Sequence, residues 1–127
     1  MPKALIIDDD ELFRNMLRTL FEKLDFSVDQ SEDGVEGIQA LKKKKYDVVT
    51  LDINMPKLDG EQVMQILNKR QEELPPIIVI SGYLTKEKIV YLAKLGVKGF
   101  LQKPFKMKSF YIEINKVFPL DARSQSA

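Results

Sequence analysis

The chain of 127 residues contains no cysteine and no histidine. Without cysteine there can be no disulfide, no thiolate metal site and no cysteine nucleophile. Without histidine, Ser-His-Asp chemistry and most zinc sites are excluded as well. The chain also lacks an excess of either charge: 20 Lys and Arg face 19 Asp and Glu, a net charge of +1. That balance argues against a dominant nucleic-acid or membrane electrostatic footprint. The opening residues run almost directly into an apolar segment, and no apolar run approaches bilayer-spanning length. Neither a signal peptide nor a membrane anchor is therefore expected, and the setting read from the sequence is cytoplasmic. What is present suits one compact domain. The length is near the commonest domain size, and 44% hydrophobic residues can fill one core. The domain is expected over residues 1–119, with residues 120–127, small and polar, forming a flexible tail or the start of a linker.

Periodicity sets the architecture. Residues 3 to 8 read as a short apolar strand. Leu12, Phe13, Met16, Leu17, Leu20, Phe21 and Leu24 then recur at helical spacing, with Asp10 as N-cap. Phe26 to Gln30 alternates as a strand, and Glu32 or Asp33 opens a helix through Val35, Ile38 and Leu41. Four lysines, Lys42 to Lys45, end that helix and complement its dipole. The unit repeats: a strand from Tyr46 to Asp52, a loop with Pro56 and an Asp59-Gly60 turn, and a helix through Val63, Ile66 and Leu67. Ile77 to Ser81 is a β-branched strand. Ile89 to Leu95 is a helix with Gly96 at its end. Gly99 to Gln102 is the fifth strand, and Met107 to Val117 the last helix. Five strands alternating with five helices predict an α/β fold. Its doubly wound five-stranded parallel sheet has order 2-1-3-4-5, the flavodoxin-like arrangement.

In such a sheet, ligands bind beyond the carboxyl ends of the strands. Polar residues gather at those ends here. Asp8, Asp9 and Asp10 follow Ala4-Leu5-Ile6-Ile7, Asp52 closes Val48-Val49-Thr50-Leu51, and Lys103-Pro104 follows Gly99-Phe100-Leu101. Adjacent aspartates at a strand end raise each other's pKa unless a cation intervenes. Magnesium is the natural one, since it prefers hard oxygen ligands and often joins one or two carboxylates to a phosphate. Asp9 and Asp52 are the candidates for direct ligands. The Asn54 carbonyl could add a third, and Asp8 would hydrogen-bond ordered water. Asp52 also has the character of a covalent nucleophile forming an aspartyl-phosphate. Attack by a carboxylate requires neutralisation of the phosphoryl charge, by magnesium on one side and the Lys103 ammonium on the other. Ser81, closing the fourth strand, could donate its hydroxyl to a phosphoryl oxygen, with Gly82 admitting close backbone approach. The Lys103-Pro104 bond is a candidate cis peptide.

Together these strand ends resemble the receiver domain of two-component response regulators, of the chemotaxis-regulator type. The residues that carry the resemblance are Ile7-Asp8-Asp9-Asp10, Asp47 through Pro56, Leu58-Asp59-Gly60, Ile80-Ser81-Gly82 and Lys103-Pro104-Phe105. It covers residues 3 to about 118. The resemblance implies that Asp52 takes a phosphoryl group from a phosphohistidine on a sensor histidine kinase or phosphotransfer protein. It also implies that the Asp8–Asp9 pair holds Mg2+, and that Ser81 and Lys103 contact the phosphoryl oxygens. With no histidine in the chain, the donor would be another protein. Slow autodephosphorylation, rather than turnover of external substrates, is implied as well, with Asn54 and Tyr83 tuning the lifetime. Phe100 falls at the family's aromatic switch position. As a phenylalanine it would act by packing alone, altering a surface of fourth helix, fifth strand and fifth helix reported by Tyr83, Tyr91 and Lys98.

Three other functions compete. A flavodoxin-like cofactor binder would want a Gly- and Ser-rich first loop with free amides, where this chain has three aspartates. A phosphatase with an aspartate nucleophile would want an acid two residues on, where this chain has Asn54. A degenerate receiver acting as a constitutive binding module would have lost a site residue, and none is lost. The downstream target, either a separate protein or a fused output domain, is not encoded in these residues, and no direct nucleic-acid contact by this domain is expected.

Overall fold

The computed structural model describes residues 1–70 and 73–120. The expected tail from residue 121 onward lies outside the described residues. Five parallel strands form one sheet: β1 (Lys3–Ile7), β2 (Ser27–Ser31), β3 (Val48–Leu51), β4 (Ile77–Ser81) and β5 (Gly99–Gln102), in the order β2-β1-β3-β4-β5. Between and after them run α1 (Glu11–Lys23), α2 (Gly34–Lys43), α3 (Gly60–Lys69), α4 (Lys86–Lys94) and α5 (Met107–Val117). This is the architecture that the alternation predicts. The central strands are buried on both faces, which is why they read as unbroken apolar runs instead of alternating ones.

Strand alternation divides the core in two. Leu5, Ile7, Val49, Leu51, Ile77 and Val79 face one layer with Ile38, Val63, Met64, Leu67 and Leu92. Ala4, Ile6, Val48, Ile78, Ile80 and Leu101 face the other, against Leu17, Phe21, Phe110 and Ile114. Phe21 joins Phe26 and Phe110 through ring contacts with centroids 5.2 and 5.1 Å apart. The helix starts are specified locally. Asp10, Asp33, Asp59 and Thr85 each accept a backbone N–H three residues on. Asp59 and Gln62 complete a reciprocal capping box that fixes where the β3–α3 loop ends.

That loop carries the tightest constraint near the strand ends. The Gly60 amide donates to the Ile53 carbonyl at 2.9 Å. A methyl group on Gly60 would lie 2.5 Å from the Asp52 carbonyl oxygen and 2.8 Å from the Ile53 Cα. Both obstacles are backbone, so neither can swing aside. Gly60→Ala is therefore expected to lower stability by about 2 kcal/mol, the usual range for overpacking. Denaturant unfolding checks this, and an unchanged midpoint would show that the loop yields freely.

Candidate functional site

Parallel register brings the chemistry-bearing residues to one edge of the sheet. Ile7 pairs with Leu51, and Ser81 with Gln102, so the residues following β1, β3 and β5 stand beside the end of β4. Backbone bonds hold these ends together: Asp8 N–H to the Ser31 carbonyl at 3.1 Å, Asp52 N–H to Ile7 at 3.0 Å, and Lys103 N–H to Ser81 at 2.8 Å.

Asp8, Asp9 and Asp52 form an acidic cluster in which one carboxylate oxygen from each lies within 4.8 Å of the others. Asp8 and Asp52 are buried and Asp9 is exposed, so the cluster opens to solvent on the Asp9 side. Oxygen-only donors at this spacing suit a hard divalent cation, and magnesium fits them. The expected cis peptide between Lys103 and Pro104 is present. The Lys103 ammonium sits 3.0 Å from Asp8 Oδ2 and 3.9 Å from Asp52 Oδ2, and 3.9 Å from the centroid of the Phe13 ring. One cation thus serves two buried acids and an aromatic face.

Lys103 does not fully neutralise Asp52. Burial, followed by the neighbouring charge of Asp8, pushes its carboxyl up to about 6, against the opposing pull of Lys103. A group so placed is a carboxylate at neutral pH, but an under-compensated one. It gains from any cation or electrophile that reaches it.

The hydroxyl of Ser81, fully buried, accepts from the Asn54 side-chain amide at 3.3 Å and from the Tyr83 N–H at 3.4 Å. Asn54 is expected from the sequence to offer its carbonyl to the metal and, by the resemblance, to tune the phosphoryl lifetime. Its side chain adds a bridge between the β3–α3 loop and β4, and its N–H lies 3.4 Å from Asp52 Oδ1. Tyr83 is 65% exposed, whereas Phe100 is half-buried against the core layer of Leu92 and Val97. One residue was missed: Arg14, 7% exposed, whose Nη1 donates to the Asp8 carbonyl at 2.7 Å and whose Nε donates to Gln30 Oε1 at 3.1 Å. Its signal is a cation three residues before Leu17 and seven before Phe21, on the inward stripe of α1.

Comparison with known proteins matches residues 4–115 to the model of the response regulator receiver domain family. The chain is 31% identical over 119 residues to the chemotaxis protein CheY-3 of Vibrio cholerae serotype O1, covering 91% of each. It is 37% identical over 103 residues to the transcriptional regulatory protein QseB of Haemophilus influenzae, spanning 46% of that longer protein. Among solved structures, the Francisella response regulator 1452 receiver domain superposes with a TM-score of 0.84 at 31% identity, over 92% of this chain and 96% of that one. Members of the family generally bind Mg2+ at an acidic pocket, and no helix among the described residues is long and apolar enough to cross a membrane.

Proposed function

Because the chain belongs to the response regulator receiver family, we propose that Asp52 accepts a phosphoryl group from a phosphohistidine on a sensor histidine kinase or phosphotransfer protein. The observation that carries this reading is the convergence of Asp8, Asp9, Asp52 and Lys103 at the strand ends, with Lys103 Nζ within 4 Å of two of the acids. In the transfer an Asp52 carboxylate oxygen forms the new O–P bond as the donor's P–N bond breaks, and that bond's electron pair returns to the donor imidazole. Asp8, Asp9 and Asp52 with the Asn54 carbonyl would hold magnesium, whose positive charge would offset the negative charge of the phosphoryl oxygens. Lys103 supplies the fixed charge on the other side, reached by a short move from Asp8.

The phosphoryl group adds roughly two negative charges and strong acceptors at Asp52. Ser81 then has reason to leave the Asn54 amide and donate to a phosphoryl oxygen. Phe100 can turn into the space behind it, changing the surface of α4, β5 and α5. Hydrolysis by water returns the carboxylate, with Asn54 and Tyr83 flanking its approach. The domain is thus a cytoplasmic switch, not a turnover enzyme. It acts on a downstream protein or a fused output module, without nucleic-acid contact of its own.

Intact-protein mass after incubation with acetyl phosphate tests this. A gain of one phosphoryl mass is expected with magnesium and not after chelation. No gain in the folded, magnesium-loaded protein, sampled faster than hydrolysis, would sink the proposal and favour a constitutive binding module.

A further inference from the structure

Arg14 is a buried cation with little formal counter-charge. The carboxylate of Glu32 stands 4.0 Å away and is itself largely exposed. Burying an unpaired charge is costly, so its surroundings should show what compensates it. They are two acceptors, the Gln30 side chain at one end of the guanidinium and the main-chain oxygen of Asp8 at the other. The second is the shorter bond, 2.7 Å, in the range of charge-assisted hydrogen bonds.

The Asp8 carbonyl and the Asp9 amide belong to one rigid peptide plane. The Asp8 side chain is already fixed, by the Asp10 N–H at 2.9 Å and by Lys103 at 3.0 Å, and its N–H by Ser31. Asp9 has no such support: it is exposed, and its carboxylate makes no hydrogen bond among the described residues. The direction in which Asp9 projects is therefore set by the plane that Arg14 grips. The geometry points to Arg14 as a positioning residue for the cation site, acting through the Asp8–Asp9 peptide and anchored to the end of β2 by Gln30. This rests on the metal-binding reading above. It runs against simple electrostatics, by which a cation so close should repel a metal ion.

Isothermal titration of magnesium chloride into the full chain decides the matter. Wild type, Arg14→Met, Arg14→Lys and Gln30→Ala would each be titrated well below its melting temperature. Arg14→Met is expected to weaken binding about tenfold or more, as for other groups that orient metal ligands. Arg14→Lys, which keeps the charge and one donor, should recover part of that loss. Gln30→Ala, a milder change, should cost about two- to threefold. In an Asp9→Asn background the Arg14→Met effect should shrink, because the residue being positioned no longer binds; a purely structural role would leave it unchanged. Binding by Arg14→Met as tight as wild type, or tighter, overturns the inference, since repulsion would then outweigh positioning. If Arg14→Met does not fold, unchanged affinity in both Arg14→Lys and Gln30→Ala overturns it equally. Absence of magnesium binding by the wild type would instead remove the reading beneath it.

Discussion

Asp52→Asn is expected to abolish phosphoryl acceptance and, in the metal-free protein, to raise stability by about 2 kcal/mol at pH 7.5. The first effect follows because the amide offers no carboxylate oxygen to phosphorus. The second follows from where the carboxylate sits. Burial and the Asp8 charge hold its folded-state value at about 6, roughly two units above an unfolded aspartate. Each unit is worth about 1.4 kcal/mol, discounted here because solvent reaches the cluster from the Asp9 side. The sign is that of a raised acid. Below about pH 4 the group is protonated folded and unfolded, and the wild type bears no penalty. Between about pH 4 and 6 the folded state holds more protons than the unfolded one, so wild-type stability falls as pH rises, and above 6 the penalty is complete. The gap between variant and wild type should therefore open across that interval and stay open at neutral pH. Thermal melts in chelator at pH 4, 5, 6 and 7.5 measure it. Saturating magnesium should close the gap, since binding to the folded wild type adds about 2.7 kcal/mol at a hundred times Kd. A variant less stable than wild type at pH 7.5 in chelator would mean that Lys103 already compensates the charge.

The strand ends were legible because chemistry and pattern coincide there. An apolar run such as Ala4-Leu5-Ile6-Ile7 has to be a buried strand, and a charge directly after it has to stand at the sheet edge. Boundaries were less so: β2 begins at Ser27 and β3 at Val48, one and two residues later than alternation suggests. Tyr46 and Asp47 are still anchored there, by the Tyr46 hydroxyl donating to Asp29 and the Lys3 N–H donating to Asp47. The face of α1 was legible only in part. Leu12 and Met16, placed by spacing on the buried stripe, are 82% and 42% exposed, while the cation Arg14 lies inside. Period 3.6 fixes a stripe but not its edges, and only tertiary partners decide which flank turns inward. Asn54 illustrates a second limit. The sequence shows a residue two after Asp52, but that its amide reaches Ser81 is a contact between a loop and a strand end 27 residues apart.

Lys103→Met should have the other large effect. In the metal-free protein the ammonium is the cation paired with the carboxylates of Asp8 and Asp52, both buried. Removing one partner of a buried pair leaves charge uncompensated, typically at a cost of about 3 kcal/mol, and here two acids lose it together. Methionine keeps a flexible apolar chain over the Phe13 ring, so the loss reports charge more than packing. Asp52 would then be pushed further up, because the pull of Lys103 is the largest influence lowering it. Destabilisation through Asp52 should thus grow with pH above about 6, where the variant's carboxyl still holds its proton and the wild type's does not, opposite in sign to Asp52→Asn, and the double variant should fall between the two singles. Magnesium should restore most of the stability, since a divalent ion answers the same carboxylates, but not the function. Without a fixed positive charge opposite the metal, phosphoryl uptake from acetyl phosphate should slow by about a hundredfold, the scale on which removing one charge-stabilising group acts. Full stability with lost uptake in magnesium would separate the two tasks of Lys103. Uptake at the wild-type rate would show that the cation serves the resting fold alone.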